Sequence, residues 1–195
     1  LEDLNKLGAI VAKTVTLNSR DGNRPPRIVE TASGMLNSIG LENKGVEYYK
    51  ENGLRFMKRH KAKAIASIAG SSEEEYIKCA EILSSGEMPD AIEVNLSCPN
   101  VHHRAGKYKL FAQDPETTGR IVYMVKKITK IPIFAKLTPN VTDITEIAKA
   151  AEENGADAVS LVNTYLGMAV DAENMRPVLG NIVGGLSGPA IKPMA

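Results

Sequence analysis

Ala91-Ile-Glu-Val-Asn-Leu-Ser-Cys-Pro-Asn100 is the stretch on which the fold of this chain turns. Ile92, Val94 and Leu96 alternate with Glu93, Asn95 and Ser97 at period two, the pattern of a strand. Pro99 then removes a ladder donor and fixes its own backbone, so the strand gives way to a loop. A thiol, Cys98, and the amides of Asn95 and Asn100 are thereby gathered at the carboxyl end of a strand. In parallel α/β proteins that is where active sites are built.

Outward from this stretch, strands and helices alternate. On the amino-terminal side, residues 8–17 read as a buried β-branched strand, residues 18–26 as a turn-rich loop, and the segment through Asn37 and Gly40 as irregular. Residues 45–60 read as a helix and residues 62–69 as a strand. Ser72 with Glu75 has the spacing of a capping box, opening a helix that Gly86 stops. On the carboxyl side, Asp114-Pro115 starts a helix with Ile121, Met124, Val125 and Ile128 on one face, and residues 131–137 form a strand. Asp143 with Glu146 opens another helix, which Gly155 ends. Residues 156–164 are the last clear strand. Residues 165–183 read as an excursion, and Gly184-Gly-Leu-Ser-Gly188 as the approach to a helix from Pro189.

Five strands alternating with helices imply a parallel sheet, either open and doubly wound or closed into a barrel. An open sheet usually carries a glycine-rich phosphate turn after its first strand; here that turn is Lys13-Thr-Val-Thr16. Polar residues recur at successive strand ends (Lys13, Ser67, Asn95, Lys136, Asn163), which suits a ring around one barrel mouth. The expected fold class is therefore a (β/α)8 TIM barrel. Residues 1–195 supply about five of its strands as one domain, without the first strand and the last two. A whole barrel takes about 250 residues.

Composition excludes several classes. A net charge of +1 argues against a nucleic-acid surface, and no apolar run approaches the roughly 20 residues of a membrane span. The amphipathic start, Leu1-Glu-Asp-Leu-Asn-Lys6, is not a signal peptide, and the absence of a starting methionine points to further chain upstream. Cys79 shares helical spacing with Tyr76, Ala80 and Leu83 and reads as core. Two cysteines make no secreted framework, so the expected location is cytoplasmic.

Cys98 has four chemical readings: nucleophile, metal ligand, general base or inert thiol. Metal spacing is absent, and a nucleophile would need His102 or His103 as its base. A base needs a substrate with an acidic C–H or N–H. Asn37, Asn95, Asn100 and Asn163 offer paired donors and acceptors, matching a planar ligand with alternating C=O and N–H groups. Lys13 and Lys136 sit in apolar strands, where an ammonium requires water, an anion or an electron-accepting ring.

Six collinear fragments carry a resemblance: Lys13-Thr-Val-Thr-Leu17, Leu36-Asn-Ser-Ile-Gly-Leu41, Asn95-Leu-Ser-Cys-Pro-Asn100, Ala135-Lys-Leu-Thr-Pro-Asn140, Val162-Asn-Thr164 and Gly184-Gly-Leu-Ser-Gly-Pro-Ala-Ile-Lys-Pro193. The chain resembles the dihydroorotate dehydrogenases, and within them the class 1B catalytic subunits. That resemblance implies an FMN-bearing barrel oxidising dihydroorotate to orotate in pyrimidine synthesis. It implies Cys98 as the base. Substrate contacts would come from Lys13, Asn37, Ser38, Ile39, Gly40, Leu41, Asn95, Asn100, Asn163 and Thr164. Flavin contacts would come from Lys13, Thr14, Ser67, Asn95, Lys136, Val162 and Gly188. It also implies a homodimer core and an iron-sulfur, FAD-containing partner subunit that passes electrons to NAD. A dihydropyrimidine-type oxidoreductase and a non-catalytic pyrimidine- or partner-binding relative are the alternatives. Ser67 departs from the family's usual asparagine, and residues 101–113 form a longer, more basic loop than is usual.

Overall fold

The computed structural model describes residues 4–97 and 110–195. In chain order its elements are β1 (Ile10–Val11), β2 (Ile28–Thr31), β3 (Gly34–Asn37), α1 (Val46–Tyr48), a π turn over Tyr49–Leu54, α2 (Arg55–Arg59), β4 (Ala64–Ile68), α3 (Glu73–Leu83), β5 (Ala91–Asn95), α4 (Pro115–Ile128), β6 (Ile133–Lys136), α5 (Ile144–Glu153), β7 (Ala158–Ser160), β8 (Tyr165–Gly167), β9 (Val170–Asp171), β10 (Arg176–Pro177) and β11 (Gly184–Ser187).

One parallel sheet has the order β1-β4-β5-β6-β7, advancing without reversal. An open doubly wound sheet reverses its order at a switch point; a barrel wall does not. The described residues thus supply five parallel strands of a β/α barrel wall. Helices cover one face of it. Tyr76, Cys79, Ala80 and Leu83 on α3, Ile121, Val122 and Val125 on α4, and Ile147 and Ala151 on α5 are buried. They pack in one cluster with Ala66, Ile68, Ile92, Val94, Ile133 and Ala135 of the strands. Burial pushes the Cys79 thiol up to about 12, with Glu75 adding to the effect, which makes it an inert core residue. Among the described residues no helix is long and apolar enough to cross a membrane.

Local sequence explains the caps. The Asp114 side chain accepts from Thr117 N at 3.0 Å and that of Asp143 from Thr145 N at 2.8 Å. At α3 the expected capping box is replaced: Glu75 accepts from Ser71 N at 2.7 Å, while Ser72 makes no side-chain cap. Tyr49 and Leu54 are both buried although five residues apart. The π turn between them brings that spacing onto one face, where an α-helix would splay it.

Two regions read as irregular are ordered. β2 and β3 form a hairpin, and β11, expected to lead into a helix, joins it as an antiparallel strand in the order β2-β3-β11-β8. The turn Ala32-Ser33 lacks the Asn-Gly or Asp-Gly signal of a two-residue hairpin, and β11 has two glycines that lower strand propensity. Only a short 3-10 turn, Pro189–Ile191, follows β11.

Candidate active site

The first strand does not run straight to the mouth. Ile10 and Val11 pair with Ala64 and Ile65, but the next paired residue, Val15, lies opposite Ile68. Four positions on one strand thus span three on its neighbour, which is a one-residue bulge, and Lys13 and Thr14 sit in it. A bulge re-aims side chains beside functional sites. Thr14 turns into the buried mouth, while Lys13 remains exposed and lines an open cleft of about 580 Å³ with Ile39 and Asn43.

Thr14 enters a chain of hydrogen bonds whose direction follows from proton counting. Ser67 Oγ donates to Glu93 Oε1 at 2.8 Å. A hydroxyl has one proton, so in the 2.9 Å contact between Thr14 Oγ1 and Ser67 Oγ it is Thr14 that donates. Thr14 Oγ1 in turn accepts from Asn95 Nδ2 at 3.2 Å. On the other side of Asn95, its Oδ1 accepts from Ser97 Oγ at 3.2 Å, and Ser97 Oγ accepts from Asn163 Nδ2 at 2.9 Å. Every donor from Asn163 onward points toward the Glu93 carboxylate. Tyr76 reaches from α3 behind the sheet, its hydroxyl donating to Asn95 O at 2.9 Å.

Lys136 ends β6 opposite Asn95 in register, with its Nζ 4.0 Å from Glu93 Oε1. Asn163 is anchored by its backbone N–H, which donates to Leu137 O at 2.9 Å. Lys13, Thr14, Ser67, Asn95, Lys136 and Asn163 therefore share one end of the sheet, with Val162 next to Asn163 in the chain. Glu93 and Ser97 belong to the same constellation. They were legible only as alternate strand positions.

The antiparallel sheet brings the second group of expected residues to this mouth. Asn37 lies opposite Gly185 in register, and Gly185 backs onto Thr164: a Cβ there would collide with the Thr164 side chain. A Cβ on Gly184 would stand 2.6 Å from Asn37 O. The two glycines thus let Asn37 and Thr164 approach from opposite sides of β11. Asn140, quoted above only within a motif, locks the junction. Its Nδ2 donates to Thr138 Oγ1 at 2.8 Å and Thr164 O at 3.1 Å, while its Oδ1 accepts from Leu166 N at 2.8 Å.

After β3 the chain turns through Ser38, Ile39, Gly40 and Leu41. Ser38 is fully buried, accepting on its Oγ from Asn23 Nδ2 and Asn181 Nδ2, each at 3.1 Å. Gly40 and Leu41 both have positive φ, 77° and 56°. For leucine this region is strained, a cost concentrated at functional turns. Asn43 holds the exit of the turn, its Nδ2 donating to Leu41 O at 2.7 Å and its Oδ1 accepting from Gly45 N at 2.7 Å.

Gly188 is not brought to this group; it falls at the opposite end of β11, against Gly34. Cys98 and Asn100 lie outside the described residues, as does most of the basic loop. Ser67 spends its hydroxyl on Glu93 and Thr14, so in this chain it braces the mouth from within.

The arrangement gathers amides, hydroxyls and the Lys136 ammonium at one end of the sheet, with Lys13 on the neighbouring cleft. The family model for dihydroorotate dehydrogenase matches residues 1–195. Among curated proteins, the "Dihydroorotate dehydrogenase B (NAD(+)), catalytic subunit" of Desulforamulus reducens is 51% identical over 193 residues, covering 99% of this chain and 62% of the relative. Those of Alkaliphilus oremlandii and Listeria welshimeri, with the same description, are 50% and 47% identical, over 63% and 62% of their lengths. The chain thus spans somewhat under two thirds of these relatives. The family match over all 195 residues places it: this chain belongs to the dihydroorotate dehydrogenase family.

Proposed function

We propose that the protein oxidises dihydroorotate to orotate in pyrimidine synthesis, with FMN as the bound hydride acceptor. The observation that carries this reading is the meeting of Thr14, Asn95, Lys136 and Asn163 at one mouth, with Asn37 and Thr164 brought beside it by β11. The donor set fits a flavin. Lys136 supplies a cation at the wall, as a ring that gains negative charge on reduction requires, and Thr14 and Asn95 supply fixed polar atoms. Lys13, Lys136, Thr14, Asn95 and Val162 would hold the ring system, with Ser67 bracing Thr14 from behind; Gly188, which β11 carries away from that group, is left out of the ring contacts. When bound, FMN would supply the acceptor for the hydride that leaves C6 of the substrate.

The chain's own residues do the rest. Asn37, Asn95, Asn100 and Asn163, with Thr164 and the backbone of the turn from Ser38 to Leu41, would hold the pyrimidine and its carboxylate. Cys98 Sγ accepts the C5 proton, and the C5–H electrons become the second bond of the product C=C. Residues 1–195 are proposed to be one part of a single barrel domain. The name "catalytic subunit" carried by the relatives supports a partner subunit, proposed to contain FAD and an iron-sulfur cluster and to pass electrons to NAD. A homodimer core and a cytoplasmic location complete the proposal, the latter in keeping with the buried, unpaired Cys79 thiol.

The test compares native full-length protein with Cys98→Ala. Turnover of dihydroorotate is expected to fall by two or more orders of magnitude, in line with the roughly 10²–10⁴-fold worth of a general base. Orotate affinity should change little. Equal turnover at saturating dihydroorotate overturns the base assignment, and preference for dihydrouracil over dihydroorotate overturns the substrate.

A further inference from the structure

The proposed reaction leaves one charged side chain at the mouth without a task. Glu93 is only 4% exposed, and it stands within the sheet between Ser67 and Lys136. A carboxylate is rarely buried in a strand unless something compensates it. Here the compensation is one hydroxyl proton at 2.8 Å and one ammonium at 4.0 Å. We propose that Glu93 is a positioning residue that balances the charge of Lys136 and thereby limits how strongly the mouth favours a reduced, negatively charged flavin. The proposal rests on the flavin reading above and adds to it a residue that touches neither ring nor substrate.

Two observations support it. First, Lys136 pairs with Asn95 at the strand ends while Glu93 pairs with Phe134 two residues earlier, so the carboxylate lies deeper along the sheet than the ammonium and is the less exposed of the two. A ligand approaching Lys136 then meets a cation whose field is partly cancelled from within. Second, the hydrogen bonds from Asn163, Ser97, Asn95, Thr14 and Ser67 all donate in the direction of Glu93. A carboxylate accepts and never donates, so it fixes the polarity of that whole chain. Asn95 is held with its NH2 toward Thr14 by that polarity and with its amide oxygen toward Ser97 by the Ser97 backbone N–H, which donates to Asn95 Oδ1 at 3.3 Å. In a low-dielectric wall such a chain is also mutually reinforcing.

Charge balance gives a test with opposite signs for two rival roles. With native charges, the Glu93–Lys136 pair is neutral. Glu93→Gln keeps the size of the side chain and an acceptor for Ser67 but leaves Lys136 unbalanced. The midpoint potential of bound FMN in the full-length protein is then expected to rise. Reduced flavin should gain about tenfold or more in binding over oxidised flavin, about 30 mV for a two-electron couple. Lys136→Gln should lower the potential, and the double variant should return close to native. If Glu93 were merely a brace that holds Lys136 in place, Glu93→Gln would lower the potential and the double variant would match Lys136→Gln alone. Either result, or an unmoved potential in Glu93→Gln, overturns the proposal.

Should Glu93→Gln not fold, the double variant has no unbalanced buried charge and carries the same comparison. A potential well above that of Lys136→Gln supports the proposal, and one equal to it contradicts it. Native protein without bound flavin overturns the functional reading and this inference together. Native protein with flavin but no shift in the variants overturns this inference alone.

Discussion

Asn163 Nδ2 donates to Ser97 Oγ across 2.9 Å, although 66 positions separate the two residues in the chain. The bond joins the end of β7 to the end of β5, skipping over β6, so it exists only if the strands curve toward a shared mouth. Ser97 is fully buried and immediately precedes Cys98, so Asn163 fixes the strand end from which the proposed base departs. Asn163→Ala is expected to weaken orotate binding about tenfold or more, as measured by titration of the full-length protein. A loss of thermal stability with unchanged orotate affinity would reduce Asn163 to a brace.

Tyr76 supports the same strand end from behind the sheet. Its side chain is 1% exposed and its hydroxyl has Asn95 O as acceptor. Tyr76→Phe preserves the ring's packing but removes that donor from a buried carbonyl. The expected cost is about 1–3 kcal/mol in urea unfolding, the penalty for a buried group left unsatisfied. A change below about 0.3 kcal/mol would show that water replaces the hydroxyl.

Gly185 is where β11 passes Thr164. Adding one methyl as Gly185→Ala forces the Thr164 side chain or β11 to move. Overpacking of this kind costs about 1–3 kcal/mol, and orotate affinity should fall with it because Asn37 lies opposite the same glycine. The added substitution Thr164→Gly should restore much of the stability but not the affinity. Denaturation and orotate titration on the single and double variants separate the two effects.

The opposite end of the sheet offers a control. Asp90 accepts from Lys58 Nζ at 2.8 Å, Lys63 Nζ at 3.0 Å and Ala64 N at 2.9 Å, tying α2 and the start of β4 to the start of β5. Burial alone would raise its pKa, but the hydrogen bonds from Lys58, Ala64 and Lys63 outweigh burial and hold the carboxyl well below the usual range. A folded pKa below the unfolded value of about 3.9 means the stabilisation is present above pH 4 and is lost as pH falls below it. Asp90→Asn should therefore cost about 1.5–3 kcal/mol at pH 7, cost progressively less as pH falls from 4 to 2, and leave orotate affinity unchanged. Equal destabilisation at pH 7 and pH 2 would contradict the electrostatic account.

The barrel wall was legible because its strands read as apolar runs or period-two alternation, separated by helices whose caps at Asp114 and Asp143 the structure retains. The antiparallel sheet was not. Its pairings, Gly185 with Asn37 and Leu166 with Gly185, are set by partners roughly 20 to 150 positions away, and its strands carry glycines that weaken any local signal. The amides and lysines of the site could be picked out by their positions at strand ends. Glu93 could not, because a polar residue at an alternate strand position is indistinguishable in sequence from one that faces solvent. The bulge at Lys13-Thr14 was equally hidden, since it is defined only by the partner strand's register.

The central claim is that these strand ends surround a flavin and a pyrimidine together. Its most direct test is the absorption spectrum of purified full-length protein, followed anaerobically as dihydroorotate is added. The account predicts flavin bands that bleach with dihydroorotate and remain with dihydrouracil. A spectrum without flavin, or flavin bands that dihydroorotate leaves unchanged, would contradict it.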